Sequence, residues 1–260
     1  MKKTLALLLA AVSIVSISAH AADAATTKVL DCMRANIPET LRVQEFDLTA
    51  IDRVGGTRAL RGRLYAMREN GLIRALVKML APADLARAAY LIRENKAGQD
   101  DMWVYLPALD RVRRITGASA GGPLFGTDIS YADVKQIENS FSGGAISLEK
   151  NETLQNRPVY VLAMKPAPKE QSRYSLVRGW IDQKTCMALK VDFHEGSDIR
   201  KQLTGNAADL KQDHGHWYLA AAEMRDLKDG TKTTFKITGV SSGDKLNTRY
   251  FNPATFTTTE

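Results

Sequence analysis

Residues Arg58–Leu80, RALRGRLYAMRENGLIRALVKML, change sides at every step. Leu60, Gly62, Leu64 and Ala66 share one face, while Arg61, Arg63, Tyr65 and Met67 share the other. After the interruption Arg68–Gly71, Ile73, Ala75, Val77 and Met79 oppose Arg74, Leu76 and Lys78. A period of two marks a strand with one buried face. Asn70-Gly71 supplies the residues that a tight hairpin turn favours. The stretch reads as two antiparallel strands, and that decides the kind of sheet.

The pattern recurs along the chain. Strand-like runs occupy 101–107 (DMWVYLP), 158–166 (PVYVLAMKP), 174–182 and 187–195, the last two flanking Gln183-Lys184-Thr185. A further run covers 215–240, with Asp229-Gly230 as its turn. Short turns join most neighbours, so a meandering antiparallel sheet of roughly ten strands is expected. Helical spacing is confined to two places. In TTKVLDCMRANIP (26–38), Val29, Leu30, Met33 and Ile37 recur as on one helix face and Pro38 closes the run. SYADVKQIEN (130–139) reads as a short helix with Ser130 or Asp128 as cap. A wide sheet with few helices must cover its apolar face by curling on itself, although a β-sandwich satisfies the same pattern. No repeat or linker divides the chain, so residues 22–260 form one β-rich domain.

The first 21 residues, MKKTLALLLAAVSIVSISAHA, combine a basic start at Lys2 and Lys3, an apolar core from Leu5 to Ile17 and a small-x-small site at Ala19-His20-Ala21. That is the layout of a secretory signal peptide cleaved near Ala21; the alternative is an uncleaved anchor. The expected address is the periplasm. The formal charge is +7; without Lys2 and Lys3, 34 basic residues face 29 acidic ones. The excess suits an anionic surface or ligand and is too weak and too dispersed to argue for nucleic acid. Cys32 and Cys186 are the two cysteines. In an oxidising compartment a disulfide between them is favoured over two free thiols.

Catalytic candidates fail on their flanks. Gly117-Ala118-Ser119-Ala120-Gly121 matches G-x-S-x-G, but a nucleophile elbow needs a helix directly after the serine. Here Gly122-Pro123 intervene and helix starts only near Tyr131. His214 and His216 sit on one turn and make no metal site by themselves. No defensible acid–base set remains, so an enzyme is not expected, and neither a metal nor a cofactor. Arg111, Arg113 and Arg114 lack P-loop spacing. They either clamp the following loop by pairing with Asp110, Asp128 or Asp133, or meet an anionic headgroup or a partner.

Taken together, Trp103, Tyr105-Leu106-Pro107, Leu109, Arg111, Arg113-Arg114-Ile115, Phe125-Gly126, Asp128, Tyr131 and Asp133 resemble the signature region of the LolA-like family of outer-membrane lipoprotein-sorting proteins. Residues 179–193 (GWIDQKTCMALKVDF), 221–237 (AAEMRDLKDGTKTTFKI), Phe251 and 255–258 (TFTT) resemble later parts of the family pattern. The resemblance implies a strongly curved, unclosed antiparallel β-barrel of LolA/LolB type, with a few helices as a lid over an apolar concave face. It implies a periplasmic carrier of lipid or lipoprotein acyl chains towards the outer membrane. The subgroup often accompanies an RND or MMPL-type exporter, which makes such an exporter and an outer-membrane acceptor the expected partners. This chain is longer than the founding carriers, and the two cysteines are its own.

From alternation, the acyl chains would lie against Leu60, Leu64, Ile73, Val77, Met79, Trp103, Tyr105, Val191, Phe193, Phe235 and Ile237. Leu124 and Phe125 would close over them, and Arg111, Arg113, Arg114, Asp128 and Asp133 would bind a headgroup or gate the mouth. A slip of one residue inverts a whole strand. The competing readings are a periplasmic adaptor that docks onto an exporter without lipid, and a structural envelope protein with a filled barrel.

Overall fold

The structure, a computed structural model, describes residues 15–96, 99–243 and 248–258. Most of the expected signal segment lies outside the described residues. From residue 15 onward the backbone belongs to helix α1 (Val15–Ala35), so Ala21 falls within a helix. Val29 and Met33 are buried on one face of the helix and Ile37 is buried just beyond its end; the helix stops at Ala35, before Pro38, as the sequence requires.

Among the described residues sixteen strands follow in chain order. They are β1 (Arg42–Ile51), β2 (Thr57–Glu69), β3 (Leu72–Ala81), β4 (Ala89–Arg93), β5 (Asp101–Leu106), β6 (Arg111–Ile115), β7 (Gly144–Leu148) and β8 (Glu152–Leu154). The remainder are β9 (Arg157–Pro166), β10 (Leu176–Asp182), β11 (Ala188–Glu195), β12 (Asp198–Gly205), β13 (Leu210–Asp213), β14 (His216–Leu219), β15 (Ala221–Asp226) and β16 (Thr231–Ser242). A second helix, α2 (Val134–Ile137), is a single turn, shorter than residues 130–139 suggest.

Fourteen strands form one sheet in the order β6-β5-β4-β3-β2-β1-β16-β15-β12-β11-β10-β9-β7, with β8 also on β9; β13 and β14 pair apart. Every pairing is antiparallel. The predicted hairpin joins β2 to β3, with Asn70 at φ 52° and Gly71 at φ 77°. Two successive left-handed residues match the right-handed twist of the strands they connect. Among the described residues β6 and β7 end the sheet without pairing to each other, so the barrel is open. The fold is the unclosed antiparallel LolA-like half-barrel that the resemblance implies.

Curling gives the sheet an inner and an outer core. Inward residues of β2, β3, β4, β10, β11 and β12 share one apolar cluster with α1 and with Leu124, Phe125, Ile129 and Val134. On the outer face Tyr65, Met67, Leu76 and Leu91 pack against Phe251 and Phe256 of the C-terminal segment, and Tyr65 stacks on Tyr250 at 4.9 Å. This outer packing explains why apolar residues stand on both faces of β2 and β3. Gly62 is needed on the inner face, because a Cβ there would lie 2.6 Å from the Phe46 ring.

Two devices fasten the helices. The Cys32–Cys186 disulfide joins α1 to the β10–β11 turn, with 5.8 Å between the Cα atoms. Beside it Asn139, at φ 59° just past α2, donates to Met33 O at 3.0 Å and Cys186 O at 2.8 Å, and accepts from Ala188 N–H at 3.0 Å. On the other side Glu94 pairs with Arg34 of α1 at 3.0 Å and with Lys135 of α2 at 3.6 Å.

The disulfide closes a separation of 154 residues. The double variant C32S/C186S is expected to lose up to about 5 kcal/mol of stability in urea denaturation, as loop-closure entropy predicts. Burial pushes the Glu94 carboxyl up, but Lys135, the Ile73 N–H and Arg34 outweigh it and hold the group below the usual range. The unfolded chain then takes the proton first. This contribution is complete above the ordinary carboxylate range and is lost as pH falls through the depressed folded value. E94Q should flatten the fall in melting temperature on acidification below about pH 4.5; an unchanged slope would contradict the assignment.

Candidate functional site

After β6 the chain makes a 3-10 turn at Gly117–Gly121 and doubles back on itself. Leu124 N–H donates to Ile129 O at 2.8 Å, Tyr131 N–H to Gly122 O at 3.2 Å, and Ala132 N–H to Ala120 O at 2.9 Å. The tip of this loop, Leu124-Phe125, turns inward and is buried in the inner cluster. Phe125 (φ 53°) and Gly126 (φ 78°) are both left-handed. A bulky residue rarely adopts that conformation, so its surroundings must hold it there. Exposed Ser119 has no strand–turn–helix around it, because helix resumes only at Val134.

The surroundings that hold the loop are not the arginines. Asp128 accepts from the Thr231 hydroxyl and from the Thr233 hydroxyl at 2.7 Å, both on β16. Lys201 of β12 donates to Asp128 O at 2.6 Å and pairs with the buried Asp133 carboxylate at 3.3 Å. Asp133 also accepts from Ser130 N–H at 2.8 Å and from the Tyr174 hydroxyl at 3.4 Å. Burial and the neighbouring Asp133 raise the Tyr174 hydroxyl well above its ordinary range, so it stays a donor. Tyr90, buried on β4, donates to Tyr131 O at 2.7 Å. Asp128 and Asp133 thus tie this loop to β12 and β16 through Lys201, Thr231 and Thr233.

Arg111, Arg113 and Arg114 stand instead on the exposed edge strand β6. Arg114 pairs with Asp101 of β5 and lies 6.0 Å from the Trp103 ring. Asp110 accepts from the Tyr105 hydroxyl at 3.0 Å. Arg111 and Arg113 have no ion-pair partner among the described residues. The expectation that the arginines pair with Asp110, Asp128 or Asp133 is corrected. The strand carries them away from a loop that turns inward.

Beneath Leu124-Phe125 lies an apolar cavity of about 80 Å³. Of the residues chosen by alternation, Leu64, Val77, Met79, Phe235 and Ile237 line it, together with the loop pair Leu124 and Phe125. Leu60, Ile73, Val191 and Phe193 face the same side but are packed into the inner core. Trp103 and Tyr105 are corrected outright: they lie on the outer face with Leu91 and the C-terminal segment, while Met102 and Val104 point inward. This is the slip of one residue that period-two reasoning permits. Phe46 and Leu48 of β1 line the cavity too. Their alternation with Asp47 and Thr49 is the signal that would have found them. Ile129, Val134, Ile137 and Glu138 come from the loop and α2, where no strand period applies.

Glu138 is the one ionisable group in that lining. Burial pushes its carboxyl above the ordinary range against the pull of Arg42. Burial in turn lowers the Arg42 guanidinium, opposed by Glu138 and Asp213.

Comparison with known proteins agrees with this geometry. A model of a family described only as uncharacterized proteins matches residues 71–258. No curated protein matches the sequence. Among solved structures, a domain described as an outer membrane lipoprotein-sorting protein from Vibrio parahaemolyticus is similar, with TM-score 0.80 and 23% identity over 90% of this chain and 99% of that one. A DUF1329 family protein from Desulfovibrio piger has TM-score 0.79 and 21% identity over 89% and 97% of the two chains. A LolA superfamily protein from Nitrosomonas europaea has TM-score 0.67 and 16% identity over 88% and 98%. At these identities the likeness is one of fold.

The division of labour between the two basic groups is measurable. K201M leaves Asp133 buried without its cation and should cost about 3–5 kcal/mol in denaturant unfolding. R113E, on the exposed edge, should stay within about 0.5 kcal/mol of the parent.

Proposed function

The chain belongs to the family of uncharacterized proteins matched at residues 71–258, whose fold is LolA-like, and from that premise we propose that it is a periplasmic carrier of lipid or lipoprotein acyl chains. The observation that carries the reading is the apolar cavity under the Leu124-Phe125 tip, walled by Phe46, Leu48, Leu64, Val77 and Met79. It lies between a concave sheet and a loop attached by a few polar contacts. A water-sized group needs about 10–15 Å³ on this measure, so the closed cavity holds a few methylenes and not a whole chain. Loading therefore requires Leu124 and Phe125 to withdraw, and an acyl chain replaces them against the same apolar wall. Each buried methylene contributes about 0.8 kcal/mol, so a long chain gains on the order of 10 kcal/mol before the cost of opening.

Export fits the disulfide, since such bonds persist in oxidising compartments. In this reading Met1–Ala21 is removed and the mature helix begins just after Ala21. The exposed Arg111 and Arg113, beside exposed Leu109 and Val112 on an open edge, then serve as the contact for anionic headgroups or for an exporter of RND or MMPL type. The same open edge favours the second reading, an adaptor that docks on such an exporter and carries no lipid. Neither reading assigns catalysis.

Organic extraction of protein purified without detergent, followed by mass spectrometry, separates the two. The carrier yields bound lipid and takes up a fluorescent fatty acid. V77F, which fills the cavity, should weaken that uptake at least about tenfold while the fold is retained. An empty extract together with no uptake by the parent protein would leave the adaptor.

A further inference from the structure

Two buried polar atoms away from the Lys201 clamp lack a partner and line the same gap. Arg42, 4% exposed at the start of β1, donates Nη1–H to Asn36 O at 3.1 Å, while its Nε has no hydrogen-bond acceptor. Glu138, 7% exposed just after α2, has an unpartnered Oε2. The two side chains attract each other across the gap without forming an ion pair. The space they line measures about 40 Å³, with Gln44, Met187, Trp217 and Tyr218 among its other lining residues. Ile137, Glu138, Phe235 and Ile237 line both this gap and the apolar cavity under Leu124-Phe125. A small polar compartment therefore adjoins the larger greasy one, with four residues as their common wall.

We propose that the gap is a carboxylate subsite, which takes the head of a single-chain fatty acid inserted head first with its chain in the apolar cavity. The inference rests on the carrier reading and specifies the ligand class within it.

Size and hydrogen-bond chemistry point to the same head. On a measure of about 10–15 Å³ per water-sized group, the gap holds roughly three, the heavy-atom count of a carboxylate. A phosphodiester with its glycerol does not fit, so phospholipids would have to keep their heads outside. Arg42 Nε–H offers one donor to a carboxylate oxygen. Burial raises the Glu138 carboxyl against the pull of Arg42, and whenever it carries its proton the unpartnered Oε2 offers a second. A neutral Glu138 leaves the Arg42 charge for the ligand to meet, and an acid–carboxylate pair is among the stronger hydrogen bonds available. The other titratable groups acting on Arg42 are Asp213 and Tyr218. Asp213 already accepts from the Ser242 hydroxyl.

The test uses the full chain, delipidated, with palmitate and methyl palmitate as probes in parallel titrations. Palmitate should bind at least about tenfold more tightly than its ester, the difference expected for one charge-assisted contact. R42Q should erase that preference by weakening palmitate at least about tenfold more than it weakens the ester. E138Q, which keeps a donor, should retain it. Carboxyl-labelled palmitate bound to the unmodified protein needs no variant. Its carbon resonance should stay at the ionised position at a pH where free palmitate has taken up its proton. Equal affinity for acid and ester, or a bound carboxyl that titrates like the free one, overturns the subsite and leaves the carrier standing. Failure of both probes to bind removes the carrier reading itself.

Discussion

A sheet of fourteen strands with one continuous apolar face must hide that face, and among the described residues there are two α-helices with which to do it. Almost everything else in the molecule follows from that shortage. The sheet curls until its halves share one interior, and α1 enters it with Val29 and Met33, followed by Ile37 just past the helix end. What remains uncovered is closed by a loop, not by an element with its own hydrogen-bonded ladder. A loop that covers a core carries backbone groups that must be satisfied. That accounts for the hairpin-like bonds between 120 and 132, and for the polar contacts that Lys201, Thr231, Thr233 and Tyr90 make with it.

The fastening is uneven, and the unevenness has a functional sense. Around Cys32, Cys186 and Asn139 the helices are tied to the β10–β11 turn by a covalent bond and a fully used side-chain amide. The Leu124-Phe125 cover, by contrast, is held by one buried ion pair and a few hydrogen bonds, with Phe125 in a conformation its side chain disfavours. Opening free energies differ across a structure in this way, and segments that must move are drawn from the weaker end. In the carrier reading proposed above, the more lightly fastened Leu124-Phe125 side serves as the entrance and the Arg42–Glu138 gap receives the head.

Much of the architecture was legible in the residues. The hairpin at Asn70-Gly71, the inward set Leu64, Val77 and Met79 and the helix face of α1 each rest on a local rule of period or turn chemistry. The failures are equally local. Trp103 and Tyr105 were assigned inward from a strand whose two faces are both apolar, where alternation gives no sign. The expected strand count is low because β4, β6, β7, β8, β12 and β13 lack a strong apolar alternation or are short, whereas β1 does alternate at Phe46–Ala50. The pairing of the arginines with the loop aspartates failed because nearness along the chain says nothing about which way a loop folds.

The sequence by itself determined the class of sheet, the pairing of the two cysteines as the favoured outcome, and most of the apolar wall. These depend on residues within a few positions of one another, or on a choice between only two thiols. Only the tertiary structure decided that Lys201 meets Asp133 across 68 residues, and that Arg42 and Glu138 face one another across an unfilled gap. Such contacts join strands and loops whose register along the curled sheet is set by the whole core. No local pattern encodes where two distant side chains will meet once that core has closed.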